Sequence, residues 1–250
     1  TEPKQRPKLL ILNQPISNFQ TFERLWHAAD YRVCADGGAN RLWDMLGEGG
    51  EGGEGRRENF LPDVIHGDLD SLRDDVRDYY AARRVTVSRD PDQESTDFGK
   101  AVGLLKQAFA SDEKARAAAS TNPPDSDIII LSTLAGRIDQ GLGLLHELYR
   151  THLSSPFLRL WLFSERSVTF LLLPGQHTLH DLVSSNRFTE NVGIVPLFGP
   201  ARISTRGLEW DVKDWETQMG GRVSTSNHVR SEEVVVGVEG AVVLFTIELA

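Results

Sequence analysis

Short apolar runs alternate with amphipathic segments along the first two thirds of the chain. Continuous runs of this length predict strands that are buried on both faces. The runs are KLLILN (8–13), RVCAD (32–36), DVIHGD (63–68), VTVS (85–88), DIIILS (127–132) and LRLWLF (158–163). Between them, segments such as SLRDDVRDYYAARR and TDFGKAVGLLKQAF carry apolar residues at helical spacing. This alternation predicts an α/β domain with a parallel sheet that is covered by helices.

Three segments need separate interpretation. GEGGEGGEGRRE (47–58) has low complexity and predicts a surface loop, and residues 110–127 predict the end of a helix followed by a loop. In DQGLGLLHELYR, the residues Leu142, Leu145 and Tyr149 share one helical face, which we expect to pack on the sheet.

After about residue 165 the pattern changes to strand-like runs separated by Gly, Pro and Asn, with little helical periodicity. This pattern predicts an all-β sandwich or a partial barrel. We therefore expect an α/β domain at residues 1–165 and a β-sandwich domain at residues 166–250, with the boundary near Glu165–Ser167.

Composition narrows the class of protein. The formal net charge of −9 argues against a main role in coating nucleic acid or acidic membranes. The lone cysteine, Cys34, leaves no partner for an intrachain disulfide and no cysteine cage for a metal. No apolar run approaches the roughly 20 residues that span a bilayer. The sequence predicts a soluble, cytoplasmic protein without a nucleic-acid or membrane partner.

Four polar clusters follow predicted strands: ADGGAN (35–40), GDLDS (67–71), DQESTDFGK (92–100) and LAGRIDQ (134–140). In an open parallel sheet, ligands bind outside the carboxyl ends of the strands, so we expect these clusters to meet. Their carboxylates would repel one another unless a divalent cation neutralised them, and Mg²⁺ binds carboxylates together with phosphate oxygens. The clusters predict a metal–phosphate site, while the absence of GxxxxGK[ST] and GxGxxG motifs disfavours a P-loop or a standard dinucleotide fold.

Each cluster also has a purely structural interpretation. ADGGAN is either a close backbone approach to a ligand or a plain turn from strand to helix. Ser71 and Asp74 fit a capping box, and the carboxylates of DQESTDFGK fit a helix N-terminus. Arg137 either forks onto a phosphate or pairs with Asp139.

The ordered clusters resemble the motifs of the thiamin pyrophosphokinase family. The similarity continues in LLLPGQH (171–177), VGIVPLFG (192–199), TRGLEWDV (205–212) and GGRVSTSN (220–227). The run DQGLGLLHELYR most resembles fungal members of the family. Ser132 and Thr133 depart from the pattern, because two glycines are expected there.

The resemblance implies an activity and an architecture. The expected enzyme transfers a pyrophosphoryl group from ATP to the hydroxyl of thiamin and releases AMP, with Mg²⁺ as cofactor. A nucleotide-binding catalytic domain is followed by a thiamin-binding β-sandwich, and a homodimer forms active sites between its subunits.

The resemblance also implies roles for individual residues. Three expected Mg²⁺ ligands and an arginine form the catalytic group: Asp68, Asp70, Asp97 and Arg137. The expected nucleotide-binding and substrate-binding residues are Asp36, Gly37, Gly38, Asn40, Gln93, Thr96, Asp139, Ser224, Ser226 and Asn227. Asp97 is the first candidate for the general base, and Trp210 lies either near the substrate ring or in the core of the sandwich.

Two other functions stay open from the sequence. One is a metal-dependent phosphohydrolase, or a kinase of another small alcohol, which would keep the acidic cluster without needing the STSN segment. The other is a non-catalytic module that senses nucleotide or thiamin diphosphate and tolerates the loss of Asp97.

Overall fold

The computed structural model describes residues 6–47, 53–92, 94–116 and 126–250. Gln93, one of the expected binding residues, lies outside the described residues. The chain divides into two compact units, Thr1–Glu165 (unit 1) and Arg166–Ala250 (unit 2). Within the described residues, every helix is too short or too polar to cross a membrane.

Unit 1 is an α/β domain built on a parallel sheet. Its strands are β1 (Lys8–Ile11), β2 (Tyr31–Ala35), β3 (Val64–Gly67), β4 (Thr86–Arg89), β5 (Ser126–Leu131) and β6 (Leu158–Phe163). They pair in parallel in the order β6-β5-β1-β2-β3-β4. The residues of β1 are all buried, as expected for a strand covered on both faces. The predicted parallel α/β domain is confirmed.

Helices connect these strands and supply the rest of the core. They are α1 (Phe19–Ala28), α2 (Gly38–Gly47), α3 (Gly53–Asn59), α4 (Asp74–Ala82), α5 (Asp97–Arg116) and α6 (Ile138–Ser154). The amphipathic patterns explain which faces are buried: Phe22 and Trp26 on α1, and Val76 and Tyr80 on α4, belong to one core cluster. The sheet and helices therefore follow directly from the alternating pattern.

Two local expectations for unit 1 were wrong. Residues 53–58 belong to the short helix α3 rather than to a loop. On α6, Leu142 is 57% exposed, whereas Leu144 and Leu148 are buried. Helical periodicity finds an apolar face but does not say which of two apolar faces meets the sheet.

Unit 2 consists of antiparallel strands. They are β7 (Ser167–Leu172), β8 (Gly175–Leu179), β9 (Phe188–Val195), β10 (Ala201–Arg206), β11 (Trp215–Thr217), β12 (Ser224–His228), β13 (Val234–Gly240) and β14 (Val243–Leu249). One set pairs in the order β12-β9-β14-β7 and the other in the order β11-β10-β13-β8. Alternate residues Val234, Val236 and Val238 are buried, which is the period expected of a strand with one core face. The predicted all-β sandwich is confirmed.

Candidate active site

The loops after β2, β3, β4 and β5 carry the four polar clusters of the sequence. Because these strands are parallel, their carboxyl ends lie at the same edge of the sheet. Four residues of these loops adopt a left-handed backbone conformation although they are not glycine: Asp36, Leu69, Ser132 and Leu134. Such conformations are costly for residues other than glycine and are frequent at functional sites.

Three carboxylates meet at this edge. Asp36, Asp68 and Asp97 each offer an oxygen, and these oxygens all lie within 4.8 Å of one another. Asp36 follows β2, Asp68 follows β3, and Asp97 begins α5. We call Asp36, Asp68 and Asp97 the carboxylate triad.

Asp36 is the buried member of the triad and is held by two hydrogen bonds. It is 2% exposed, its backbone N–H donates to the carbonyl of His66 at 3.0 Å, and its Oδ2 accepts from the N–H of Ser71 at 3.0 Å. Ser71 therefore ties the loop after β3 to Asp36. The alternative of a capping box at Ser71 does not occur, because Arg73 is the N-cap of α4.

Gly67 makes the close approach of the triad possible. A Cβ at this position would lie 2.9 Å from Cβ of Asp36 and 3.1 Å from Oδ1 of Asp97. Both distances are shorter than ordinary contacts, so a side chain at position 67 would push two triad members apart.

The surroundings of Asp97 and Asp68 shift their pKa values in opposite directions. Burial raises the pKa of Asp97, and the negative charges of Asp68 and Asp36 raise it further. The pKa of Asp68 is lowered, chiefly because the backbone N–H of Asp70 donates to Oδ1 of Asp68 at 3.1 Å. Lys100 also favours the charged form of Asp68, since its Nζ donates to Oδ2 at 3.2 Å.

The structure does not bring Asp70 into the carboxylate triad. Its side chain is exposed, and its carboxylate is not part of the group of described acidic residues whose oxygens lie within 4.8 Å of one another. The structure instead places Asp36, which was expected in the nucleotide pocket, beside Asp68 and Asp97. The direction of each side chain depends on the left-handed turns at Asp36 and Leu69.

Residues of the ADGGAN cluster shape the turn from β2 to α2. A Cβ on Gly38 would collide with the carbonyl oxygen of Ile11, so this glycine lets α2 start against β1. The amide of buried Asn40 donates to the carbonyl of Ser71 at 2.7 Å and accepts from the N–H of Arg73 at 3.1 Å. A Cβ on Gly37 would likewise collide with the side chain of Asn13. The hydrogen bonds of Asn40 hold the end of the loop that carries Asp68 and Asp70.

The remaining predicted residues of unit 1 lie at the starts of helices. Thr96 is exposed, and its hydroxyl accepts from the N–H of Gly99 at 3.1 Å at the start of α5. Arg137 precedes α6 and donates to Asp139 through Nε at 3.1 Å and Nη2 at 2.6 Å. Both of these side chains are exposed, and their pairing lowers the pKa of Asp139. Of the two alternatives for Arg137, the structure shows the ion pair.

In unit 2, the predicted binding residues belong to β12, which contains a register shift between Ser224 and Asn227. Ser226, within this irregular stretch, has a φ of 57° and is exposed. Buried Asn227 accepts from the N–H of Trp210 at 3.1 Å and donates to its carbonyl at 3.0 Å. Bulges of this kind commonly redirect side chains next to functional sites.

Trp210 presents its ring at the surface of unit 2. The residue is 55% exposed, and its ring centroid lies 5.2 Å from that of His228. Of the two alternatives for Trp210, its exposure excludes a position in the core of the sandwich. An exposed aromatic ring held by a buried amide is suited to contact with a flat ligand.

Lys100 contacts the triad, which the sequence analysis did not predict. The residue is 5% exposed, and its Nζ lies 3.2 Å from Asp68 and 3.9 Å from Asp97. Its spacing of three residues from Asp97 on α5 was the available signal, because such pairs share one helix face.

The triad has the properties of a site for a hard divalent cation. Oδ1 of Asp36 and Oδ1 of Asp97 are buried and accept no hydrogen bond among the described residues. Buried carboxylate oxygens without donors are costly unless a cation binds them. An all-oxygen donor set suits Mg²⁺.

Comparisons with known proteins agree with this geometry. A family model described as "Thiamin pyrophosphokinase, catalytic domain" matches residues 22–160, and one described as "Thiamin pyrophosphokinase, vitamin B1 binding domain" matches residues 176–243. Thiamine pyrophosphokinase 3 of Oryza sativa subsp. japonica is 37% identical over 91% of this chain and 81% of its own length. Thiamine pyrophosphokinase of Saccharomyces cerevisiae is 33% identical over 88% of this chain and 78% of its own length.

Solved structures show the same architecture. The crystal structure of yeast thiamin pyrophosphokinase superposes with a TM-score of 0.86 at 29% identity, covering 100% of this chain and 88% of the yeast chain. Thiamin pyrophosphokinase from Candida albicans superposes with a TM-score of 0.83 at 25% identity, covering 98% of this chain and 90% of the other. On these similarities in sequence and fold, the chain belongs to the thiamin pyrophosphokinase family and is an enzyme of that type.

Proposed function

We propose that this chain transfers a pyrophosphoryl group from ATP to the hydroxyl of thiamin in a Mg²⁺-dependent reaction that yields thiamin diphosphate and AMP. The observation that carries the proposal is the carboxylate triad, in which Asp36 is buried and Asp68 and Asp97 are partly buried, with oxygens of Asp36 and Asp97 that accept no hydrogen bond among the described residues. The matching family models support residues 1–165 as the nucleotide-binding catalytic domain and residues 166–250 as the thiamin-binding domain.

Asp36, Asp68 and Asp97 would hold Mg²⁺, and Asp70 is a further candidate ligand from the same loop as Asp68. When bound, Mg²⁺ neutralises the charge of the polyphosphate during transfer. Since pyrophosphoryl transfer requires positioning more than covalent help from the protein, rigid support of the triad matters more than any single nucleophilic side chain.

The thiamin hydroxyl must lose a proton as it attacks the β-phosphorus of ATP. Asp97 is the proposed proton acceptor through a carboxylate oxygen that does not bind the ion; burial and the charges of Asp68 and Asp36 raise its pKa in the metal-free site, and bound Mg²⁺ would lower it. Arg137 would bind the phosphates, exchanging its exposed pairing with Asp139 for a bidentate contact. The proposed residues around the nucleotide are Asp36, Gly37, Gly38, Asn40, Gln93, Thr96 and Asp139.

Thiamin would bind to unit 2 through Ser224 and Ser226, with the Trp210 ring against the substrate and buried Asn227 positioning Trp210 through its backbone. The exposed ring of Trp210 and the irregular backbone at Ser226 support this assignment. Thiamin is a cation, and an aromatic face attracts a cation in addition to providing apolar contact.

We also propose a homodimer with active sites formed between subunits. Large apolar side chains on α6 support an oligomer, since Ile138, Leu142 and Leu153 are 79%, 57% and 63% exposed. A second copy of the chain would remove this apolar surface from water.

One coupled assay tests the proposed reaction. Purified protein is incubated with ATP, Mg²⁺ and thiamin, and AMP, ADP and phosphate are measured with and without thiamin. Thiamin-dependent AMP is expected from the wild type, while Asp97→Asn should reduce it by about three orders of magnitude or more. Thiamin-dependent ADP would indicate a kinase, thiamin-independent phosphate a phosphohydrolase, and ligand binding without turnover a sensing module; any of these contradicts the proposal.

A further inference from the structure

Lys100 lies on α5, one turn after Asp97, with 1% of its side chain exposed. Lysine is rarely buried unless its ammonium is paired, because the charge loses its hydration. Here the Nζ of Lys100 donates to Oδ2 of Asp68 at 3.2 Å and lies 3.9 Å from Oδ1 of Asp97. The ammonium therefore contacts two members of the carboxylate triad.

Packing alone does not require a lysine at this position. Neighbouring residues of α5, such as Phe98, Ala101 and Val102, are buried apolar side chains. An apolar side chain would cost less to bury at position 100 than an ammonium. The triad explains the charge, since ionised carboxylates within 4.8 Å of one another repel strongly.

The charges around the triad also restrict the number of cations. Three ionised carboxylates and the Lys100 ammonium sum to a charge of −2, and the opposite charges of nearby Asp70 and Arg89 cancel. One divalent cation balances this charge, whereas two would leave an excess of +2 in a partly buried place before any substrate binds. The pairing thus favours a single ion bound by the protein alone.

We propose that Lys100 is a positioning residue that acts as the built-in counter-ion of the triad, holding Asp68 and Asp97 together without metal and limiting the protein to one divalent cation in the absence of nucleotide. This inference rests on the proposed cation site. The ammonium and the cation share the same carboxylates, so each weakens the attraction of the triad for the other.

The first test uses unmodified protein, titrated with Mn²⁺ in the absence of nucleotide. Free Mn²⁺ is followed by electron paramagnetic resonance, and the heat of binding by calorimetry. One ion per chain is expected at this site. Two tightly bound ions per chain, or none, would overturn the proposal whether or not any variant folds.

The second test removes the charge with Lys100→Met, which keeps the length and apolar stem of the side chain. The apparent melting temperature should fall in chelator and recover with Mg²⁺, and the affinity for Mn²⁺ should increase by about tenfold or more because the competing ammonium is gone. Lys100→Gln, which retains a hydrogen-bond donor without charge, should behave like Lys100→Met. Lys100→Arg should keep the wild-type response to Mg²⁺.

Lys106→Met is the matched control, since Lys106 is a partly buried lysine of the same helix without an ion pair to the triad. It should leave the Mn²⁺ affinity and the stabilisation by Mg²⁺ unchanged. A merely structural Lys100 would lower the melting temperature of Lys100→Met equally with and without Mg²⁺, and this result would overturn the proposal. So would a Lys100→Met protein that stays unfolded at saturating Mg²⁺.

These measurements are separate from turnover. If the wild type forms no thiamin-dependent AMP, the proposed function is contradicted, while the cation measurements can still be interpreted. Normal AMP formation together with an unchanged Mn²⁺ affinity in Lys100→Met would contradict the role of Lys100 alone.

Discussion

At the scale of single residues, Gly67 gives the triad the space it needs. Its missing side chain lets Asp36 and Asp97 approach the same point, where an added Cβ would lie 2.9 Å from Asp36 and 3.1 Å from Asp97. Gly67 pairs with Arg89 of β4, and β3 pairs with β2 up to His66. An added Cβ would therefore press on the Cβ and backbone nitrogen of Asp36 and on the carboxylate of Asp97.

Gly67→Ala tests this requirement. We expect a loss of stability of about 1–3 kcal/mol from overpacking and a drop in turnover of at least about tenfold from misplaced carboxylates. Urea denaturation and the AMP assay measure the two effects. Gly103→Ala on α5 is the control, because its Cβ would meet nothing within 4 Å; it should retain activity and gain up to about 1 kcal/mol in helix stability. Equal behaviour of the two variants would contradict the role of Gly67.

The choice of cation ligands is a second prediction at this scale. Asp36→Asn should weaken nucleotide-free Mn²⁺ binding by about tenfold or more, since it neutralises a triad member whose Oδ1 accepts no hydrogen bond among the described residues. Asp70→Asn should change this binding by less than about threefold, because the exposed side chain lies outside the triad. Calorimetry on the two variants measures the difference. The opposite order would favour Asp68, Asp70 and Asp97 as the ligands.

Much of this site could be predicted from residue types and their positions. Asp36, Asp68 and Asp97 were identified because each follows a strand or begins a helix at one sheet edge. The sequence could not rank Asp36 against Asp70, because the side-chain directions depend on left-handed turns at Asp36 and Leu69. The role of Lys100 was missed because one lysine at helical spacing has many structural explanations.

At the scale of elements, the turn from β5 to α6 differs from the expected glycine pair. Ser132 has a φ of 64°, in the region that favours glycine, and its buried hydroxyl accepts or donates no hydrogen bond among the described residues. Position 132 thus keeps the backbone shape that a glycine would adopt while it carries a side chain. The backbone at Ser132 therefore lies in a conformation that glycine adopts at lower cost.

Ser132→Gly should relieve this strain. We expect a gain in stability of about 0.5–1 kcal/mol, since the backbone penalty and the unpaired hydroxyl outweigh the extra flexibility of glycine in the unfolded chain. Urea denaturation gives the change. Ser155→Gly is the control, because Ser155 is buried with a φ of −152° and should lose stability. A loss in Ser132→Gly as large as in the control would show that position 132 is not strained.

The sequence predicted where the strands of unit 1 lie, but not which face of helix α6 is buried. Every predicted strand of unit 1 overlaps an observed one, because continuous apolar runs between turn residues have few alternatives. The buried face of α6 could not be predicted, since its second apolar face includes exposed Leu142. An apolar face that meets another molecule has the same periodicity as one that meets the core.

At the scale of the whole molecule, the proposed dimer distributes one reaction over two chains. Unit 1 carries the triad and unit 2 carries Trp210, and the family models match these regions as separate catalytic and vitamin-binding domains. If each active site takes unit 1 from one subunit and unit 2 from its partner, inactivating changes in different units must complement one another in a mixed dimer.

Mixing Asp97→Asn with Trp210→Ala tests this arrangement. Each variant alone should be nearly inactive, while the mixture, after unfolding and joint refolding, should recover about a quarter of wild-type activity. This value follows because half of randomly formed dimers are mixed, and each mixed dimer has one site free of substitutions. AMP formation and size-exclusion chromatography measure activity and assembly. The double variant Asp97→Asn/Trp210→Ala supplies the control, since its excess should suppress wild-type activity in mixed dimers. If each site lies within one subunit, the mixture of single variants stays inactive and the double variant leaves its wild-type partner active, which would contradict the shared site.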